Sequence, residues 1–339
     1  MGPAVYVQTN DAADNEVLVF SRAQDGTLAS FGRYSTGGRG TGQPHLPSQG
    51  SVVLSEDGRW LLVVNAGSDD LSRFSVEQDG LRLADRVSSG GSKPTSVAVS
   101  GALVYVLNNG TPNISGFDLV DGRLTTLAGS TRSLSAADAD PAQLSFTADG
   151  RALVATERGT NSISSYVIDD HGHAEDPRTI KSSGRTPYGF GFSNGSLIVT
   201  EAFGGELGAA AASSYVVTGA GQLALVSGSV GDTRSEVCWA AVTKDGRFVF
   251  VTNFGDGTVS SYQIAADGSL ALRDPVAATT HQGHKGVRDE AISSDGQYLY
   301  AIDADASKLF GWAVGQHGQL TPVGEFEGVP DTVAGLAAS

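Results

Sequence analysis

A short apolar strand, a Ser/Thr-x-Asp-Gly type of turn and a second apolar strand ending in a polar residue recur along the chain. Val52-Val53-Leu54-Ser55-Glu56-Asp57-Gly58-Arg59 runs into Leu61-Leu62-Val63-Val64-Asn65. Ala241-Val242-Thr243-Lys244-Asp245-Gly246-Arg247 runs in the same way into Val249-Phe250-Val251-Thr252-Asn253. The residue opening each turn marks the repeat at Ser55, Ser100, Thr147, Ser193, Thr243, Ser293 and Ser339, with spacings of 45, 47, 46, 50, 50 and 46 residues. A period of about 40–50 residues holding several strands marks the blades of a propeller. After each second strand comes a third, such as Leu71–Val76 or Val259–Ile264. An Asp-Gly turn and a fourth strand follow. Asp-Gly favours a tight hairpin because glycine reaches the left-handed region at no steric cost.

The ends complement each other. Val5-Tyr6-Val7, Val17–Phe20 and the segment after Asp25-Gly26 read as the second, third and fourth strands of a unit whose first strand is missing. Gly328–Leu336 reads like Gly91–Val99 and supplies it. The expectation is an all-β, seven-bladed propeller of four-stranded antiparallel blades. N- and C-terminal strands share one blade, and residues 1–339 form a single domain, since no linker interrupts the spacing.

Composition narrows the function. Of 339 residues, 22 are Lys or Arg and 37 are Asp or Glu, a net charge of −15. Such a surface does not displace counterions from a phosphate backbone, so nucleic acid is not an expected partner. No run approaches 18 apolar residues, so no membrane span is expected. The single cysteine, Cys238, forms no internal disulfide. No basic and apolar leader precedes the first strand, which suits either a cytoplasmic chain or one whose export signal has been removed. A monomer is expected.

Strand direction sorts the loops. The Ser/Thr-x-Asp-Gly turns share one face; the ends of the second strands and the blade-to-blade connections share the other, around the channel. The second strands end at Thr9 or Asn10, Asn65, Asn108, Glu157, Glu201, Asn253 and Asp303. Asn in such places caps turns by bonding backbone, whereas Glu is a poor turn former and points to chemistry. The connections add Gln49, Lys93, Asp140, Arg185, Tyr188, Glu236, Cys238, Trp239, Arg288 and Asp289. Arg158 follows Glu157, and His45, His281 and His284 lie in the first and sixth connections.

Weaker patterns are set aside. Gly191-Phe192-Ser193-Asn194-Gly195 matches a nucleophile elbow but sits in a hairpin turn on the far face. Gly37–Gly42 has no following helix to complete a phosphate cradle. His171 and His173 lie in an outer turn. His281, His284 and Asp289 are too loosely spaced for a zinc site, and Glu157, Glu201 and Asp303 could offer oxygen ligands to calcium as on six-bladed propellers, a likeness that seven repeats argue against. No metal and no cofactor are expected.

The ring of Ser-x-Asp-Gly-Arg-x-Leu-x-Val-x-Asn units resembles the seven-bladed lactonase-like propellers over essentially the whole chain. That group includes 6-phosphogluconolactonase-like proteins and the fungal 3-carboxy-cis,cis-muconate lactonizing enzyme, a carboxymuconate cyclase. The resemblance implies opening or closing of a small carboxylate or sugar-type lactone. Such chemistry needs a proton carrier and a cationic clamp. Glu157 or Glu201 is the expected acid/base, with His284 or His45 as alternative carriers. Arg158, Arg185 or Arg288 would grip a carboxylate in a fork. Tyr188 and Trp239 would form an apolar wall, and Asn65, Asn108 and Asn253 would line the substrate surface. The other reading is a non-catalytic propeller that binds a ligand or protein. The insertion Glu201–Ala212 on the channel face would then be a contact loop rather than a lid.

Overall fold

The structure, a computed structural model, describes residues 1–44, 46–120, 122–218, 221–280 and 283–339. Seven antiparallel sheets stand round a central axis, each with four strands in sequential order from the axis outward; the third carries an additional two-residue strand, Arg132–Ser133. Blade one joins Ala334–Ala338 to Ala4–Gln8, Glu16–Arg22 and Leu28–Ser35. Val5 lies opposite Ala338, and Val7 opposite Leu336. Ser339, the last repeat marker, seals the closure: its amide donates to Ala4 O at 2.9 Å and its hydroxyl accepts from Ala4 N at 2.8 Å.

The other blades follow in chain order. Blade two runs from Val52–Leu54 through Trp60–Asn65 and Asp70–Glu77 to Gly80–Ser88. The first strands of blades three to seven are Pro94–Ser100, Pro141–Phe146, Pro187–Ser193, Val237–Val242 and Val287–Ile292.

The second strands are continuously apolar because both faces of a blade are covered by its neighbours. Leu61, Leu62, Val63 and Val64 are all buried. The core is therefore a set of seams. In one, Ala4, Tyr6, Val17 and Val19 of blade one pack against Val52, Leu61, Val63 and Phe74 of blade two. Burying a side chain of this size contributes about 1.5–3 kcal/mol.

The marker turns are held by their own side chains. Ser55 Oγ donates to Asp57 Oδ1 at 2.7 Å and accepts from Trp60 N at 3.0 Å. Gly58 adopts φ +68°, where a side chain would be strained. In blade four the Thr147 hydroxyl and the Arg151 amide hold the Asp149 carboxyl below its usual range. The same hydroxyl-to-Asp bond closes the turns at Ser55, Thr147, Thr243 and Ser293, which lie on one face and leave the opposite face for the longer loops.

Candidate active site

The residues ending the second strands form a buried polar layer inside the blades. Asn65 Nδ2 donates to Ser72 Oγ at 2.8 Å and Asp70 Oδ1 at 2.6 Å, and its Oδ1 accepts from Thr36 and Asn15. Asn253 donates to Ser260 and Thr258, and Asn108 to Asn113 and the Ser89 carbonyl.

Glu157 and Glu201 occupy the same layer, and here the geometry departs from the sequence expectation that they face the mouth. Glu157 accepts from Ser164 Oγ at 2.5 Å, Thr160 Oγ1 at 2.9 Å, Ser135 N at 3.2 Å and the Ser135 hydroxyl. Glu201 accepts from Ser182 Oγ at 3.1 Å and from Gly184 N, Ser213 Oγ and Ser229 Oγ at 2.7 Å each. Both are fully buried. The cause is the third strand, which sets a serine beside the end of the second. It stands seven residues on at Ser72, Ser164 and Ser260, and twelve on at Ser213, where the insertion intervenes. Each glutamate replaces an asparagine and bonds a wider shell of hydroxyls.

A second group stands at the head of the first strands. Tyr188, Cys238 and Arg288 each precede their markers by five residues, so three neighbouring blades present them at one level. Tyr188, Cys238, Trp239 and Ala142 form one buried cluster with Phe254 packed against it. The Tyr188 and Trp239 rings lie 5.5 Å apart. Arg158 stacks over Tyr188 at 4.8 Å while donating to Asp140 at 2.7 Å. Arg288 lies 5.4 Å over Phe254 and reaches Asp305 at 3.5 Å through one terminal nitrogen. Lys285 Nζ sits 5.8 Å from the Phe254 ring and pairs with Glu236 at 3.1 Å.

Arg288 Nε and Nη1 and the Tyr188 hydroxyl are buried yet have no hydrogen-bond partner among the described residues. Burial holds the Tyr188 phenol well above its ordinary pKa and lowers that of Arg288. Burial also drives the Cys238 thiol up, which favours its protonated form. Asp289, behind this group, is raised to about 7 by burial, against the pull of the Gly335 amide that it accepts at 3.0 Å.

The floor beneath is a plug that the sequence did not announce. The connection from Ser35 to Val52 has 16 residues, against five to seven elsewhere, and its end crosses the axis. Gln49 Nε2 donates to Ala240 O at 2.9 Å and its Oε1 accepts from Ala240 N at 3.1 Å, while Gln49 N donates to Ala142 O at 3.0 Å. Ser48 Oγ reaches Thr95 O at 2.7 Å, and its carbonyl accepts from the Trp239 indole at 2.9 Å. Gly189 permits the approach, since a Cβ there would stand 2.4 Å from Gln49 Oε1. The length of the first connection was the available signal.

The remaining residues spread around the rim. Arg185 is exposed, bonded to Glu206 at 2.8 Å and stacked 5.6 Å over Phe203. It belongs with the insertion, which is pinned by Gly208 N to Ser235 Oγ at 3.1 Å and by Ala210 N to Arg234 O at 3.0 Å. His284 is exposed beside Lys285. His45 and His281 lie outside the described residues. Ser193 donates to the Gly246 carbonyl of the next blade on the turn face. No three His, Cys, Asp or Glu side chains gather as a metal site among the described residues. No helix is long and apolar enough to cross a membrane among them.

The model of a family described as "Lactonase, 7-bladed beta-propeller" matches residues 5–133, 118–202 and 199–332. The chain belongs to that family. Membership supports a lactonase-type function acting on a small molecule. Among solved structures, a candidate 6-phosphogluconolactonase from Bacteroides uniformis is 20% identical with a TM-score of 0.79, covering 100% of both chains. A periplasmic gluconolactonase from Pseudomonas aeruginosa is 18% identical with a TM-score of 0.74, over 99% of this chain and 98% of that one. A Lactobacillus plantarum protein is 17% identical with a TM-score of 0.79, over 100% of both. At these identities the likeness to solved structures speaks for the fold. No curated protein matches.

Proposed function

We propose that the chain hydrolyses a small sugar-type or carboxylate-bearing lactone at the mouth group of blades four to seven. The observation carrying this reading is the set of unmet donors, Arg288 Nε and Nη1 and the Tyr188 hydroxyl. Buried donors without acceptors are costly, and an oxyanion or carboxylate is the acceptor that suits them. Arg288 is the clamp; Arg158 shapes the wall, because Asp140 already occupies its guanidinium.

Glu236, in the connection that carries Cys238, takes the proton of the attacking water. The water oxygen bonds to the carbonyl carbon, the C=O electron pair moves onto oxygen, and Arg288 and Tyr188 hold that charge. Collapse of the intermediate breaks the bond to the ring oxygen, which takes back a proton from Glu236 or from the exposed His284. Glu157 and Glu201 serve as structural anchors of blades four and five in this scheme. The sugar lactone is proposed in part because the neighbours named above include a gluconolactonase. The protein is proposed to act as a monomer.

A panel of aldonolactones and unsaturated dicarboxylate lactones, tested against the wild type and Arg288→Met, decides the matter. Turnover that R288M loses supports the scheme. A full set of inactive compounds, none raising the melting temperature, would leave the non-catalytic binder in its place.

A further inference from the structure

The turn that opens with Ser55 carries an aromatic ring whose counterparts are buried. Trp60 follows its marker by five residues, as Phe248 follows Thr243 and Tyr298 follows Ser293. Each ring has an arginine over it: Arg73 at 4.2 Å, Arg273 at 5.4 Å and Arg22 at 5.1 Å respectively. A glycine of the next blade closes on two of the three. A Cβ at Gly318 would stand 2.7 Å from the Phe248 ring and one at Gly26 2.3 Å from Tyr298, and both rings are buried. At Trp60 the matching Gly122 stands off, with 3.8 Å from its Cβ place to the ring, and Trp60 is only half-buried.

The neighbouring blade supplies the space. Gly101 and Ala102 alone join the first two strands of blade three, where blades two, four, six and seven use five residues. Beside this short hairpin lies a hollow of about 500 Å³ between blades two and three. Trp60, Val99 and Leu119 are its apolar lining, and the polar lining is the turn itself, Ser55, Glu56, Asp57 and Arg59. The second two-residue hairpin, at Asn194–Gly195, has Ala152 at the position of Trp60.

The polar groups of the turn are only partly used. Ser55 Oγ and Arg59 Nε donate to Asp57 at 2.7 and 2.6 Å. The Glu56 carboxylate, the terminal nitrogens of Arg59 and the Trp60 indole nitrogen have no hydrogen-bond partner among the described residues. Glu56 and Arg59 are exposed. One acceptor and two donors thus surround a flat apolar surface. Arg73 on the ring opposes a second cation, and Glu56 with Asp57 outweighs Arg59 against an anion. A hydrocarbon would leave the polar groups unmatched. A neutral pyranose offers a flat C–H face to the indole and hydroxyls that both donate and accept. We infer that the hollow between blades two and three binds a neutral pyranose sugar, stacked on Trp60 with hydroxyls on Glu56 and Arg59. It lies on the turn face, opposite the mouth, and so stands independently of the lactonase reading.

The tryptophans provide the signal. Of the three, Trp239 and Trp312 are buried, which leaves Trp60 to report on a ligand. The full chain is titrated with methyl β-D-glucopyranoside and with methyl β-D-galactopyranoside. At least one should shift the tryptophan emission to the blue and saturate, with a Kd of about 1–30 mM. Sorbitol, which has hydroxyls but no ring, and benzyl alcohol, which has a ring but one hydroxyl, should give no saturable shift. Saturation-transfer NMR on the glycoside follows binding where the fluorophore is lost. Trp60→Ala and Glu56→Ala are each expected to bind at least about tenfold more weakly. No saturation by either glycoside up to about 100 mM, an equal shift with sorbitol or benzyl alcohol, or unchanged binding in either variant overturns the inference. Should W60A fail to fold, E56A, at an exposed turn position, and the comparison of ligands on the wild-type chain decide it.

Discussion

Glu157 and Arg288 are both fully or nearly buried and both hydrogen-bonding side chains near the mouth face, yet they are opposites. The glutamate accepts from Ser135, Thr160 and Ser164 and leaves nothing for a ligand. Among the described residues the arginine keeps two nitrogens without an acceptor, and the tyrosine hydroxyl is equally unmet. Burial alone does not tell these two groups apart; the account of satisfied and unsatisfied polar atoms does.

The contrast is sharpest if activity and stability part company between the two regions. Arg288→Met and Glu236→Gln are expected to lower kcat/KM for a turned-over lactone about 10²–10³-fold, the range for losing one oxyanion donor or a proton carrier. Their melting temperatures should stay near or, for R288M, above the wild type. Glu157→Leu or Glu201→Leu should do the reverse. Each strands three serine or threonine hydroxyls and costs about 3 kcal/mol by denaturant titration, with kcat within a few-fold. A loss of activity without a loss of stability in E201L would erase the distinction.

A smaller effect tests the layer behind the mouth. Asp289 titrates near 7 in the folded chain and near 4 unfolded, so the folded state prefers its protonated form. Its contribution is complete below about pH 4 and is lost as pH rises to about 7. Asp289→Asn should remove most of that slope, read as denaturation midpoints compared at about pH 4 and pH 8. Smallest is the plug: Gln49→Ala removes a two-bond clamp on Ala240 and should cost about 1–2 kcal/mol, read from chemical denaturation.

The ring itself was legible because every blade repeats the same demands. An apolar second strand between two neighbours recurs in every blade, a Ser/Thr-x-Asp-Gly turn precedes it in four of them, and Gly328–Leu336 visibly filled the one gap. Tyr188, Trp239 and Arg288 were singled out by counting back from the markers, since the connections obey the same register, and Arg158 by its place after Glu157. Glu157 and Glu201 were expected at the mouth because a carboxylate was judged by its own type, without the serine seven or twelve residues later that encloses it. Gln49 was named but its crossing of the axis was not. That path depends on Ala240, 191 residues away, and on the bare backbone of Gly189.

The pairing of Ala4 with Ser339 also has a bearing on engineering. Both ends of the polypeptide leave from neighbouring edges of one sheet, so a short peptide joining them would turn a contact between distant segments into an ordinary hairpin. A circular permutant with new ends in the outer turn at Asp170–Gly172 should then resist unzipping better than the parent, because its first-to-open seam has become covalent.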